Sequence, residues 1–429
     1  MTRDLLIRGG TVVDPAHGRD GAFDVLLRDG RVEAVDAPLP ADGALVFDAG
    51  GLLVFPGFID LHVHLREPGR EDAETIASGA AAAAAGGFTA VCAMPNTDPV
   101  NDNRTVTAFV AARGAEAGTA RVYPVGAVTR GRRGEELAEF GEMRSAGAVA
   151  LSDDGDWVRD GDLLRRALEH AGLFAMPVVQ HAEDPSLSRG APMHEGAVST
   201  RLGLAGQPAV GEAAAVARDL LIARLCRGRL HFGHVSTALS VSSIREAKER
   251  GLSVTAEATP HHLLLTDEEV AQSGYSTRFK MNPPLREAAD VRALVEGVID
   301  GTIDAIATDH APHHEDDKAV EFEAAPFGVV GLETAAAVVY DRLVSSGSLP
   351  LRRFVELFST GPAKAFGLPG GTLAAGSPAD VTLFDPRHRW TIEPAKFSTL
   401  GRSTPFAGWS VVGAPAATIV GGRIVWRRT

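Results

Sequence analysis

Eight short apolar runs follow one another through the middle of the chain, near residues 58–64, 88–93, 121–127, 148–154, 176–181, 229–234, 253–258 and 303–309. Helical patterns fill the intervals, at 103–117, 134–147, 162–172, 211–227, 239–250 and 331–345 among others. Strand-length apolar runs alternating with helices are the pattern of βα units: a parallel strand is buried on both faces and needs a long crossover to reach the next. Eight such units predict an α/β fold of the closed (β/α)8, or TIM, barrel type. An open doubly wound sheet accounts less well for the count of eight. The alanine run 80–85 is a good helix former that ends at Gly86-Gly87, and its small side chains allow close packing on a barrel.

Both ends of the chain read differently. Residues 5–13, 24–32, 380–384 and 417–425 are apolar runs punctuated by glycine turns, the mark of strands and hairpins. We expect a small β-sandwich domain made from residues 1–55 and 369–429, and a barrel over 56–368, with Pro56-Gly57 and Pro369-Gly370-Gly371 as joints. A length of 429 residues accommodates one large and one small domain. The net charge of −13 argues against nucleic acid or an anionic membrane as partner, so an anionic substrate would need a local cationic pocket. Cys92 and Cys226 have neither metal-type spacing nor the look of a disulfide framework, which suits a reducing compartment. Met1-Thr2-Arg3-Asp4 does not open a signal-type apolar stretch, and no run approaches a membrane span. The expectation is a cytoplasmic protein.

In a parallel barrel all strand C-termini meet at one face. The first run ends in His62 and His64, two residues apart and so on one face of a strand, and Arg66 follows on the same alternation. The fourth ends in Asp153-Asp154, the fifth in His181, the sixth in His234 and the eighth in Asp309. Any one of these could be a cap or a satisfied core residue. Five run ends carrying such residues to one mouth point to metal. Six ligand-type side chains exceed the four of a single tetrahedral zinc and suit two ions sharing a carboxylate bridge. Imidazole and carboxylate favour zinc, with manganese, cobalt or iron as other candidates. Alternation lets only one of Asp153 and Asp154 reach the metals but does not choose, because strand phase slips at strand ends. His231, three before His234, is expected outside the barrel. His261 and His262 are expected off the metals, and His310 to point away or to support a ligand from behind. His17, His170, His194 and His388 are read as surface or structural.

The stretch Asp60-Leu61-His62-Val63-His64-Leu65-Arg66-Glu67-Pro68-Gly69 resembles a signature of the amidohydrolase superfamily and, within it, of dihydroorotases of the longer bacterial type. The resemblance runs along essentially the whole chain. It includes Met94-Pro95-Asn96-Thr97, Ser152-Asp153-Asp154-Gly155, His181-Ala182-Glu183-Asp184, Thr259-Pro260-His261-His262, Lys280-Met281-Asn282-Pro283-Pro284, Ala307-Thr308-Asp309-His310-Ala311-Pro312-His313 and Pro326-Phe327-Gly328. It implies two zinc ions: one held by His62, His64 and Asp309, the other by His181 and His234, with Asp154 as bridge. It further implies that His64, Arg66, Asn96, Asn282 and His313 bind substrate, with backbone contacts from Phe327 and Gly328. Hydantoinases and allantoinases of the superfamily bridge their metals with a carboxylated lysine at the end of the fourth strand. This chain has no lysine before Lys248, and Asp153-Asp154 stands there instead.

The reaction so implied is the reversible cyclisation of N-carbamoyl-L-aspartate to (S)-dihydroorotate and water, a step of de novo pyrimidine synthesis. A bridging hydroxide would attack the ring carbonyl, and Asp309 would act as general acid and base. Arg66 suits the substrate carboxylate, since a guanidinium grips it bidentately. The charged, proline-bounded segment 311–328 is expected to be a lid that carries His313. Two other readings are open to such a chain. Another cyclic amidase, hydantoinase-like or allantoinase-like, is argued against by Arg66 and the missing lysine. A non-catalytic scaffold beside aspartate transcarbamoylase is argued against by six filled ligand positions. A homodimer, and association of an active chain with aspartate transcarbamoylase, are the expected assemblies.

Overall fold

Glycine turns at both chain ends close hairpins that merge into one mixed sheet. The computed structural model describes residues 4–226 and 228–429. Residues 1–3, which open the expected first domain and the stretch read for a signal, and Arg227, the expected last residue of a helix over 211–227, lie outside the described residues. β1 (Leu5–Asp14), β2 (Arg19–Arg28) and β3 (Arg31–Asp36) form an antiparallel meander, and β4 (Leu45–Asp48) and β5 (Leu53–Pro56) pair in parallel with successive parts of β1.

The barrel strands are β6 (Phe58–Val63), β7 (Phe88–Ala93), β8 (Arg121–Gly126), β9 (Ala150–Ser152) and β10 (Val178–Gln180). After a two-stranded excursion, β11 (Met193–His194) with β12 (Gly206–Gln207), come β13 (Leu230–Phe232), β14 (Val254–Ala258) and β15 (Ala305–Ile306). The chain then returns to the terminal sheet with β16 (Val381–Thr391), β17 (Ser410–Val420) and β18 (Arg423–Arg427). The order there is β18-β17-β16-β5-β1-β2-β3, so both chain ends share one sheet of a small sandwich domain, as expected.

The eight barrel strands are parallel and neighbour one another in the order β6-β7-β8-β9-β10-β13-β14-β15. The ring closes through a bridge between Val63 and His310, where the His64 N–H donates to the His310 carbonyl at 2.8 Å. The Asp60 carboxylate ties the same seam, accepting the N–H groups of His62 at 3.0 Å and Thr308 at 3.2 Å. Burial pushes its carboxyl up to about 7.

Alternate residues fill the two sides of each strand. Ile59, Leu61, Ala90, Cys92, Val125 and Val179 pack inside the barrel with Phe366, while Phe58, Phe88, Val178, Leu230 and Phe232 pack in the outer core. This corrects the expectation for His231. Leu230 and Phe232 face outward, so His231 faces inward, with its ring 5.2 Å from that of Phe366. His234 also faces inward because Gly233 and a left-handed His234 (φ 31) reset the phase.

Several expected elements are shorter. The helix expected over 134–147 covers only Phe140–Ser145, because Gly134 turns at φ 70 and Thr129 pairs with Leu137. The fourth and eighth strands shrink to Ala150–Ser152 and Ala305–Ile306. The Ile76–Ala85 helix is capped by Thr75 and stops at Gly86-Gly87, as read from the alanine run. Sheet and barrel join through side chains: Thr382 Oγ1 donates to the Gly87 carbonyl and Thr418 Oγ1 to that of Ala84, both at 2.6 Å. At Gly57, between β5 and β6, a Cβ would lie 2.2 Å from Thr89 Oγ1, so this contact requires glycine.

Candidate active site

The C-terminal ends of five barrel strands deliver their polar residues to one cavity of about 220 Å³. His64, Arg66, Asn96, Asp154, His181, His234, Asn282, Asp309, His313, Phe327 and Gly328 all line it. His62 lies beneath it, fully buried. Every residue named from the sequence for this site is therefore at or directly under the mouth.

Two ligand triads share Asp154. His62, His64 and Asp154 form one, and Asp154, His181 and His234 the other, each with its ligand atoms within 4.8 Å of one another. Asp154 Oδ1 is 3.2 Å from His62 Nε2, 3.4 Å from His234 Nε2 and 3.5 Å from His181 Nδ1, while Oδ2 is 3.4 Å from His64 Nε2. Asp309 Oδ1 lies 3.1 Å from His64 Nε2 and 3.7 Å from His62 Nε2.

The donor set fits metal. His62 Nε2, Asp154 Oδ1 and His181 Nδ1 are buried without a hydrogen-bond partner among the described residues and converge on one another, an arrangement that costs free energy unless a cation pairs with them. Burial works against charge on His62, but Asp154 and Glu257 outweigh it and hold its imidazole well above the ordinary range. In the same way, burial is overcome at His181 by Asp154 and Glu183, which raise it to about 10. The carboxylates thus draw positive charge to these rings.

The structure also separates the two aspartates. Asp153 Oδ1 accepts the N–H groups of Val128 at 2.9 Å and Thr129 at 3.0 Å, and Thr129 Oγ1 donates to Oδ2. Asp153 therefore ties β9 to the turn after β8, and Asp154 faces the triads.

Three of the nine described non-glycine residues with positive φ belong to this site: Arg66 (61°), His234 (31°) and Asp309 (46°). β6 ends at Val63, so Arg66 reaches the mouth by a left-handed turn, and the simple alternation expected of it does not apply. Such backbone costs about 1 kcal/mol or more per residue and persists where the surroundings over-determine it. The Arg66 side chain is fixed by one bond, Nε to the Pro312 carbonyl at 3.0 Å, which leaves its two terminal nitrogens for the cavity. Burial lowers its pKa to about 10, so it stays cationic at neutral pH.

Asn96 Oδ1 accepts from His64 Nδ1 at 2.8 Å. Asn282 Nδ2 donates to Glu183 Oε2 at 2.6 Å, and its Oδ1 is buried with no partner among the described residues. His313 Nε2 donates to the Phe327 carbonyl at 2.8 Å, and burial, then Arg66, lowers its pKa to about 3, so the ring is neutral. The Gly328 N–H donates to the Lys280 carbonyl at 3.1 Å, and its carbonyl accepts from Lys318. Phe327 and Gly328 line the cavity with these groups already engaged.

A dihydro-orotase-like family model matches residues 51–240. The dihydroorotase of Anaeromyxobacter sp. (strain K) is 58% identical, over 99% of this chain and 98% of its own length. That of Pelotomaculum thermopropionicum is 55% identical, over 98% of each. The chain belongs to the dihydroorotase family. Among solved structures, the L-hydantoinase of Arthrobacter aurescens superposes with a TM-score of 0.88 at 27% identity, covering 100% of this chain and 96% of that one. The dihydropyrimidinase of Brevibacillus agri gives 0.86 at 26% identity, covering 99% and 95%.

Supporting residues of this dihydroorotase-family site were missed in the sequence. Glu257 on β14 bonds His62 Nδ1 at 2.7 Å and His231 Nε2 at 3.1 Å. Burial raises its pKa, but these two histidines pull it down to about 2. A lone acid in the run Val254-Thr255-Ala256-Glu257-Ala258 was the available signal. Glu183 braces His181 Nε2 at 3.1 Å and accepts from Ser188. Its signal was its place two residues after His181. His310 points away from the cavity to Glu74, at 3.2 Å. His262 bonds Thr259 and the Pro283 carbonyl, and His261 is buried with its Nε2 unpartnered; neither lines the cavity.

Proposed function

We propose that this chain is a dihydroorotase that interconverts N-carbamoyl-L-aspartate and (S)-dihydroorotate plus water, using two zinc ions. The observation that carries the reading is one cavity in which two triads sharing Asp154 face a half-buried guanidinium, Arg66. His62, His64 and Asp309 would hold one ion and His181 and His234 the other, with Asp154 between them. When bound, such ions supply a reactive water near neutral pH and polarise a carbonyl.

The chain's own residues do the rest. The Arg66 terminal nitrogens grip the substrate carboxylate, Asn96 Nδ2 donates a further hydrogen bond to it, and the free His313 nitrogen accepts a substrate N–H. The unpartnered Asn282 Oδ1 accepts a ring N–H. Burial pushes the Asp309 carboxyl up, but the adjacent His64 ring and the charges of His62 and His234 hold it well below the usual range. It is therefore a carboxylate, able to take a proton from the attacking water and return it to the leaving ring nitrogen. In the cyclising direction the same groups run in reverse, and the amide nitrogen loses its proton to Asp309.

The likeness to hydantoinase and dihydropyrimidinase structures supports a second reading, another cyclic amidase. Arg66 weighs against it, because it matches a carboxylate. The test is a zinc-supplemented assay on dihydroorotate, hydantoin and allantoin side by side. We expect dihydroorotate to exceed the others at least hundredfold in kcat/KM; parity or preference for hydantoin would overturn the assignment. Full activity with fewer than two zinc ions per chain, by elemental analysis, would overturn the two-ion reading.

Segment 311–328 is proposed to order over substrate, and equal hydrogen-exchange protection with and without a substrate analogue would count against it. No described helix is long and apolar enough to cross a membrane. Cytoplasmic residence, a homodimer and association with aspartate transcarbamoylase complete the proposal. Sedimentation of the chain alone and mixed with that enzyme tests both assemblies.

A further inference from the structure

A second cavity, of about 400 Å³, lies where the terminal sheet meets the barrel, away from the mouth and larger than the cavity there. Trp390, Trp426 and Phe397 give it aromatic walls, and Glu333, Lys396 and Arg428 are its principal charged groups. A volume in this range, with mostly apolar walls and a few placed polar groups, suits a small organic ligand.

The polar groups differ in what they have left to offer. Lys396 is engaged by Glu393 at 2.9 Å. Arg428 Nη2 donates to Asp385 at 3.2 Å, but its Nη1 is buried and no acceptor among the described residues reaches it. Glu333 Oε1 accepts the N–H groups of Ser398 at 2.8 Å and Thr399 at 3.1 Å, so the backbone holds this carboxyl in place at the cavity. Burial raises its pKa to about 7, against the pull of the Ser398 and Thr399 N–H groups and of Arg402.

We propose that this junction cavity binds an uncharged planar heterocycle carrying N–H and C=O groups on its ring, of nucleobase or nucleoside size. Indole and phenyl walls hold planar rings by stacking and burial. The Glu333 carboxyl accepts a ring N–H, and Arg428 Nη1 donates to a ring carbonyl, which relieves a buried donor left open at this cavity. Both cations already face carboxylates, Lys396 with Glu393 and Arg428 with Asp385, so no spare positive charge favours a phosphate. For the same reason the cavity does not suit the dianionic N-carbamoyl-L-aspartate proposed for the mouth.

The probe is uridine, titrated calorimetrically into the full-length, metal-loaded chain. We expect saturable binding with a Kd in the millimolar range or tighter. It should weaken at least tenfold in Arg428→Met and in Trp426→Leu, and be unchanged in Arg66→Met, which alters only the barrel mouth. Absence of saturation would overturn the proposal. So would binding that is lost in Arg66→Met and kept in Arg428→Met, because the probe then sits at the mouth. Should the strand variants fail to fold, the unmutated protein labelled with 5-fluorotryptophan gives an independent reading by fluorine NMR. Uridine must shift the Trp390 and Trp426 signals and leave that of Trp157 in place; unmoved Trp390 and Trp426 signals overturn the site.

Discussion

The two sides of the barrel mouth are built on different principles. On the strand side, His62, His181 and His64 are each braced from behind by a side chain, Glu257, Glu183 and Asn96 respectively. On the loop side, His313, Phe327 and Gly328 are held through backbone carbonyls. His313 bonds the Phe327 carbonyl, and the buried Lys318 Nζ donates to the carbonyls of Pro326 at 2.8 Å and Gly328 at 2.9 Å. The first arrangement fixes the tautomer and orientation of the ligand rings, as metal binding requires. The second fixes a loop's path and ties it to its surroundings through Arg66, Thr277 and Lys280. Side-chain bracing and backbone-carbonyl anchoring thus serve different parts of one mouth.

The largest effect should come from the strand side. Asp309→Asn should lower kcat by roughly 10²–10⁴-fold, the usual worth of a general acid–base group. Metal content, measured by elemental analysis, should stay near that of the parent. A near-normal rate would remove Asp309 from the chemistry.

Next, Glu257→Ala leaves two buried histidines without their shared partner. Breaking a buried charged pair costs about 3–5 kcal/mol, and loss of a brace behind a ligand weakens metal binding by roughly 10–100-fold. Chelator competition and thermal melting measure the two effects. An unchanged metal affinity would mean that the strand side needs no bracing.

Arg66→Met should raise the KM for N-carbamoyl-L-aspartate by about 10–100-fold, the worth of charge-assisted bonds, while metal content is kept. An unchanged KM would move carboxylate recognition elsewhere.

Lys318→Met on the loop side should change KM less than tenfold, consistent with a wall that only guides the loop. An effect as large as that of Glu257→Ala would erase the contrast between the walls.

The smallest effect is on pH dependence. Burial, then Lys280, lowers Lys318 from its ordinary 10.5 to about 7. Between those values the unfolded chain holds a proton that the folded chain has released, so this group makes folding more favourable as pH rises from 7 towards 10.5. Below 7 its burial cost is present in full. Thermal midpoints of Lys318→Met should therefore rise less over this window than those of the parent. A steeper rise in the variant would contradict the assignment.

How far the site could be read in advance varied with its chemistry. The ligands lie at the ends of apolar runs, where a polar residue breaks an obvious pattern, and all line or underlie the mouth. The braces were less visible. Glu257 sits inside a run, and its partners His62 and His231 are 195 and 26 residues away, so only closure of the ring reveals what it holds. Lys318 was hidden in a charged stretch, where one lysine looks like any other until its burial is known.

The run-and-helix alternation, the β character of both ends and the convergence of histidine and aspartate at strand ends follow from the sequence alone, because they depend on local periodicity and residue type. Tertiary structure decided which of Asp153 and Asp154 faces the triads, that His231 turns inward, and that Arg66 reaches the mouth. The Val128 and Thr129 N–H groups turn Asp153 away, the outward Leu230 and Phe232 set His231 inward, and the Arg66 position depends on strand phase. Left-handed backbone at Arg66, His234 and Asp309 resets strand phase where the ladders end. Such conformations are unfavourable in isolation, and only the closed barrel around them holds them in place.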